Sequence, residues 1–232
     1  PLGDYHLQKC SPAVDAGSNA SIPPGITKDL DSNNRIAFAR VDMGAYEKHL
    51  AKPGSNGIVY VDSSNIAGAG DGSSWVQAVT ELADALKEAK TNTDVKEIWV
   101  AKGTYKPRYN AADAYLNSIC HTTDRDASFV VVPDVKLYGG FAGGETDTSA
   151  RNIIINETIL SGDIGVLNDS TDNTYHVLIS AGDVGLATLD GITITKGQAD
   201  GGGLALTVNG FNNFFRHEGG GIISKNSSPT FK

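Results

Sequence analysis

The densest grouping of residues able to move a proton is His121-Thr122-Thr123-Asp124-Arg125-Asp126, an imidazole and two carboxylates flanking a guanidinium. Sugar-bond cleavage needs such groups converging on one face, with carboxylates for general acid–base work and a cation beside them. The grouping sits in a long polar stretch between Tyr105 and Phe129, and alternating charge in such a stretch is the composition of a solvated excursion. His121, Asp124 and Asp126 therefore stand as candidates, and no residue is assigned a catalytic role. Asp29, Asp31 and Asn33 place oxygen side chains at alternate positions, as the start of a loop that could hold Ca²⁺ would. The glycine and the distal glutamate of an EF-hand are missing. Asx turns, in which a side-chain oxygen takes a nearby backbone N–H, account for the same residues with no ion, and likewise for Asp15 and Asp42. Nothing in these patterns demands a cofactor.

Other reactive types are sparse. His176, inside the apolar run Tyr175-His176-Val177-Leu178-Ile179, reads as a half-buried structural residue. Cys10 and Cys120 are too few for a disulfide framework or a zinc site. The runs Gly201-Gly202-Gly203 and Gly219-Gly220-Gly221 do not cradle phosphate, because no Lys-Ser/Thr follows and no helix opens after them.

These residues must be carried on a frame that is almost entirely β. Short β-branched runs bounded by Gly, Asp and Asn occur at 58–61, 97–100, 128–132, 135–138, 158–160, 175–179 and 187–195. One helical period interrupts them: Trp75, Val79, Leu82, Leu86 and Ala89 share a face, Ser74 precedes as N-cap, and Gln77 completes a capping box. Glu81, Asp84, Lys87, Glu88 and Lys90 fall on the opposite, polar face. No second helical period separates the strands, which excludes an alternating βα fold. Leu137, Leu160, Leu178 and then the run Leu189 to Ile194 recur at roughly 20 residues, the reach of one coil of a β-solenoid. Asp200-Gly-Gly-Gly-Leu204 is echoed 18 residues later by Glu218-Gly-Gly-Gly-Ile222. The echo reads first as a coil repeat, with two glycine loops flanking an inserted hairpin around Phe211, Phe214 and Phe215 as the alternative.

Three textures divide the 232 residues. Residues 1–50 are polar and turn-rich, 51–57 (Ala-Lys-Pro-Gly-Ser-Asn-Gly) have linker composition, and the β pattern runs over 58–232. A net charge of −8 with no basic stripe disfavours a nucleic-acid partner. No apolar run is long enough for a membrane span. The 27 glycines imply many tight corners.

The stretches Ile58-Val59-Tyr60-Val61-Asp62, Gly70-Asp71-Gly72-Ser73-Ser74-Trp75, 97–105 and Tyr138-Gly139-Gly140-Phe141 resemble the N-terminal cap and first coils of secreted right-handed parallel β-helix proteins. These are pectin-lyase-like surface proteins, many from Bacteroidota-type bacteria. Leu189-Asp190-Gly191-Ile192-Thr193-Ile194-Thr195 and Gly219–Ile222 with Ser227-Ser228-Pro229-Thr230 are similar to the coil repeats of the same group. Tyr5-His6-Leu7-Gln8, residues 11–17, Asp29-Leu30-Asp31 and residues 41–47 resemble instead the closing segment of such a β-helix. The resemblance implies an all-β chain: a parallel β-helix with one N-terminal capping α-helix, preceded by an irregular segment like the end of another β-helix. It implies a window cut from a tandem surface protein, or else an arrangement in which residues 1–50 complete the same β-helix. The expected role is a structural or adhesive segment at the cell surface or outside the cell, with a glycan or other surface ligand and neighbouring β-helix units as partners. The alternative is a polysaccharide lyase or hydrolase, or a carbohydrate-binding module, whose groove is walled by 105–127 and 201–218.

Overall fold

The computed structural model describes residues 5–8, 11–37, 40–66, 70–112 and 123–232; Cys10, Cys120 and His121 lie outside them. Thirteen strands and one α-helix follow one another among the described residues: β1 (Ile58–Val61), α1 (Leu82–Ala89), β2 (Glu97–Ala101), β3 (Gly103–Tyr105), β4 (Phe129–Val130), β5 (Lys136–Phe141), β6 (Thr158–Ser161), β7 (Leu178–Ala181), β8 (Thr188–Asp190), β9 (Ile192–Thr195), β10 (Leu206–Val208), β11 (Phe211–Phe214), β12 (Ile222–Lys225) and β13 (Thr230–Phe231). The chain is all-β with parallel sheets. One sheet has the order β1-β2-β5-β8-β13, a second β3-β6-β9 and a third β12-β7-β4, and every pairing within them is parallel. From β2 onward the chain visits the three sheets in rotation. It departs from that order only for the antiparallel hairpin β10–β11.

This rotation corrects the spacing read from the sequence. Leu137, Leu160 and Leu178 lie in the first, second and third sheets, so a step of about 20 residues carries the chain from one sheet to the next. The true stacking partners are farther apart: Glu97 pairs with Lys136 and Lys136 with Thr188, offsets of 39 and 52 residues. The run at 187–195 is two strands, because Gly191, at φ +71°, turns the corner between the first sheet and the second. Gly139 lies against that corner, and a Cβ there would collide with the Gly191 carbonyl. The 18-residue glycine echo is also not a coil. β12 pairs with β7, and the two runs flank the β10–β11 hairpin.

Register builds the core. Val59, Ile98, Leu137 and Leu189 are in line across the first sheet and all are buried; Tyr105 and Leu160 are likewise buried and in line in the second, with the partly buried Ile194 beside them, and Phe129 and Leu178 are buried and in line in the third. On the other face of the first sheet Tyr60, Trp99 and Tyr138 form an aromatic column, covered by Trp75 and Phe141, with Trp99 and Phe141 stacked at 4.7 Å. Leu206, Val208 and Phe214 of the hairpin cover Ile179 and Ile223 on the outer face of the third sheet.

The helix is shorter than its periodicity predicts, starting at Leu82 rather than Trp75. Ser74 closes one turn on Gln77 N–H through its carbonyl (3.1 Å) and its hydroxyl (3.3 Å). Beyond it, Val79 bridges Val61 in parallel: its N–H donates to Tyr60 O (3.0 Å) and its carbonyl accepts from Asp62 N–H (2.9 Å). Backbone groups used in that ladder cannot also propagate a helix. The "polar" face departs too. Asp84 and Glu88 are buried, because Tyr109 Oη donates to Asp84 (2.7 Å) and residues 49–50 dock on Glu88.

Residues 5–50 contain a single 3₁₀ turn (Asn19–Ser21) among the described residues and lie against α1. Leu50 N–H donates to Glu88 Oε2 (3.0 Å), His49 Nδ1 is 3.2 Å from Glu88 Oε1, and Thr91 Oγ1 donates to Ala37 O (2.8 Å). Within 51–57, Ala51 is buried in the main core and Gly54 N–H donates to Ile58 O (2.9 Å). Among the described residues, no helix is long and apolar enough to cross a membrane.

Candidate functional site

Of the two insertions expected to wall a groove, only parts, residues 109–112 and Asn209 with Phe211, are brought together around a cavity. A cavity of about 450 Å³ lies between α1, residues 109–112 of the first insertion, residues 128–133 around β4, and Asn209 and Phe211 of the hairpin. Its walls are mainly Ala, Leu, Val and Phe. Lys87, Lys90, Tyr109, Asn110 and Asp183 are the main polar residues at its margin. Lys87 Nζ stands 4.6 Å from the Tyr109 ring centroid. Burial pushes the Lys87 ammonium down to about 8, against the pull of Asp15 and Asp84. Sugars want hydrogen-bonding walls, so this lining suits an apolar guest better than a glycan.

Asp124 and Asp126 lie outside those walls and are engaged elsewhere. Asp124 accepts from Asn110 Nδ2 (2.7 Å) and Asp126 N–H (2.9 Å). Asp126 takes both Nε (2.6 Å) and Nη2 (2.7 Å) of Arg216, a two-pronged ion pair of the strong kind. Arg216 in turn donates to Leu204 O (2.6 Å), while Arg125 pairs with Asp200, donates to Asn173 O (2.6 Å) and stands over the Tyr175 ring at 4.2 Å. The first insertion is thus clamped to the second. Arg216→Ala should leave Asp126 without its cation in a half-buried site and cost about 2–3 kcal/mol. The check is faster amide exchange in β10–β11, with β5–β8 unchanged.

His176 is fully buried just before β7 rather than within a strand. Its Nδ1 is 3.2 Å from Gly219 O, and burial holds the imidazole below its usual pKa, so it is neutral with Nδ1–H donating. That is a structural role. The sequence did not single out Arg216, Glu88 or Lys87 as functional. Glu88 and Lys87 follow a helical stripe whose second side only the docked segment and the insertion reveal as covered.

The calcium candidates do not converge. Asp29 accepts N–H bonds from Asp31 (2.9 Å), Asn33 (2.8 Å) and Glu47 (2.9 Å), which outweigh its burial and hold its carboxyl below the usual range. Asp31 pairs with His6 (2.6 Å). A different trio comes together: Asp15, Asp42 and Glu47, all buried, with candidate ligand oxygens within 4.8 Å of one another. Asp42 accepts Asp15 N–H (2.7 Å) and Lys48 N–H (2.6 Å); Glu47 accepts Ala37 N–H (3.2 Å), Asp42 N–H (3.2 Å) and the Arg35 guanidinium (2.9 Å). Burial and the neighbouring Asp42 push Glu47 up to about 7, and burial likewise raises Asp42. A dication would have to displace Arg35 and a proton. Millimolar Ca²⁺ or EDTA should therefore leave Tm unchanged within about 1 °C, because a bound ion stabilises by mass action; a Ca²⁺-dependent rise would assign this trio as a metal site.

The same groups set a pH dependence. Glu47 holds its proton more tightly folded (about 7) than unfolded (4.5), so its stabilisation is complete below 4.5 and is lost as pH rises to 7. His49, raised by its bond to Glu88, stabilises below 6.5 and loses that contribution as pH rises through its folded value. Asp29 acts oppositely and only in acid, losing its contribution as pH falls below 3.8. Limited proteolysis of residues 5–50 should be slowest near pH 5 and quicken toward pH 8, and a flat profile would refute the assignment.

No family model, no curated protein and no solved structure matches this chain.

Proposed function

We propose that residues 58–232 form a right-handed parallel β-helix of the pectin-lyase-like kind, serving as a structural or adhesive segment of a secreted or surface protein. The observation that carries this reading is the rotation of the chain through three parallel sheets, with buried side chains in line from strand to strand. Each turn of such a rod contacts only its neighbours, and rigidity with repeated weak contacts suits multivalent attachment to a glycan or other surface ligand. One end is covered by α1 and residues 5–50. At the other, β9, β12 and β13 have no strand on their outer edges among the described residues, and Phe231 is 48 % exposed.

The test is a polysaccharide panel read for new reducing ends and unsaturated products, beside a glycan array. Binding without turnover is the expected result. Turnover abolished by Asp124→Asn or Asp126→Asn would overturn it in favour of a lyase or hydrolase.

A further inference from the structure

The cavity is lined mainly by apolar side chains, a chemistry that differs from one suited to glycans. We propose that it is a binding site for a small apolar molecule carrying one anionic group, such as a medium-chain carboxylate or an aromatic sulfonate. The proposal does not rest on the adhesive reading and can stand if that reading fails.

Size comes first. About 450 Å³ falls within the range of small-ligand sites, roughly 300–1,000 Å³, and five separate pieces of chain form the walls, so the space is shaped by the fold. Its interior, drawn from residues such as Leu86, Ala111, Phe129 and Phe211, is mainly apolar with a few polar groups at the margin, the lining that small-molecule sites favour.

Charge then selects among apolar guests. Lys87 and Lys90 stand on the α1 wall, with Lys87 held over Tyr109. Asp15 and Asp84 lie within electrostatic reach of Lys87, yet burial outweighs them and its ammonium is destabilised. An anionic group delivered from the cavity side would offset that desolvation, which a neutral guest cannot do. The opposing carboxylate, Asp183, is exposed and already accepts Gly185 N–H at 2.9 Å, so solvent screens it.

The experiment titrates the full chain with 8-anilinonaphthalene-1-sulfonate by fluorescence, then displaces the dye with decanoate or decanol. Saturable binding at one site is expected, with decanoate displacing at about one-tenth the concentration of decanol, the ratio for one charge-assisted contact. Ala112→Trp, which adds a ring at the partly exposed margin, should abolish binding of the dye and of its neutral counterpart N-phenyl-1-naphthylamine. Lys87→Met should weaken the sulfonate about tenfold while sparing the neutral dye. The decanoate–decanol comparison needs no variant, so it decides the charge question even where Lys87→Met impairs folding. No saturable binding, binding indifferent to Ala112→Trp, or equal displacement by decanoate and decanol would each overturn the proposal.

Discussion

Glu88→Ala is expected to lower stability by about 3–5 kcal/mol and to release residues 5–50 from α1, the largest effect of any single charged residue in this chain. Glu88 is 1 % exposed, and its carboxylate accepts from Leu50 N–H, lies against His49 Nδ1 and accepts from Asn92 Nδ2 (3.3 Å). Removing it strands a buried amide and a half-buried imidazole together and opens a cavity beside Leu50. At about 2–4 °C per kcal/mol for a chain of this size, Tm should fall by roughly 6–20 °C. Glu88→Gln keeps the volume and one acceptor oxygen and should cost about 1–2 kcal/mol, the loss of the charge-assisted part alone. The measurement that isolates the docking is proteolysis between residues 11 and 57, which should accelerate in Glu88→Ala more than global unfolding accounts for. Equal rates in the two variants would mean that the segment is held by something other than this carboxylate.

Glu88 also marks where sequence reasoning stopped. Periodicity placed Trp75, Val79, Leu82, Leu86 and Ala89 on one face and Glu88 on the other; the assignment holds for Leu82, Leu86 and Ala89, while Trp75 and Val79 precede the helix and Trp75 packs on the other face of the first sheet. A carboxylate on a helix surface looks solvated until another part of the chain covers it, and the covering residues, His49 and Leu50, sit in a stretch with no period of its own. The strands fared similarly. Runs such as 97–100 and 158–160 were legible because β-branched residues between turn formers have few other options. Their pairing was not, since parallel partners lie 34 to 55 residues apart and no local pattern spans that distance. Spacing of leucines therefore reported the step between sheets and was misread as the step between coils. Asp29 was readable as a turn-amide acceptor because its bonds to Asp31 and Asn33 are local; Asp42's bond to Asp15 N–H, 27 residues away, and the ion pair of Asp126 with Arg216, 90 residues away, were not.

Position along the stack should govern the cost of core truncation, and Leu160→Ala against Ile194→Ala measures it. Leu160 is fully buried in β6, with Tyr105 on one side and Ile194 on the other. Its truncation leaves a cavity that neither neighbour can fill without moving its own strand, so about 3–5 kcal/mol is expected. Ile194 occupies the same column in β9 but is only partly buried and, among the described residues, has a strand on one side alone. Truncation there removes apolar contact without enclosing a void, and about 1–1.5 kcal/mol is expected. Both values come from denaturant midpoints, provided the slopes agree. In a stack where each layer touches only its neighbours, that threefold difference is the signature of an inner layer against an outer one. Equal losses would mean that the outer edge of β9 is covered in solution. A concentration-dependent Tm would then identify the cover as a second copy of this chain, because association stabilises by mass action.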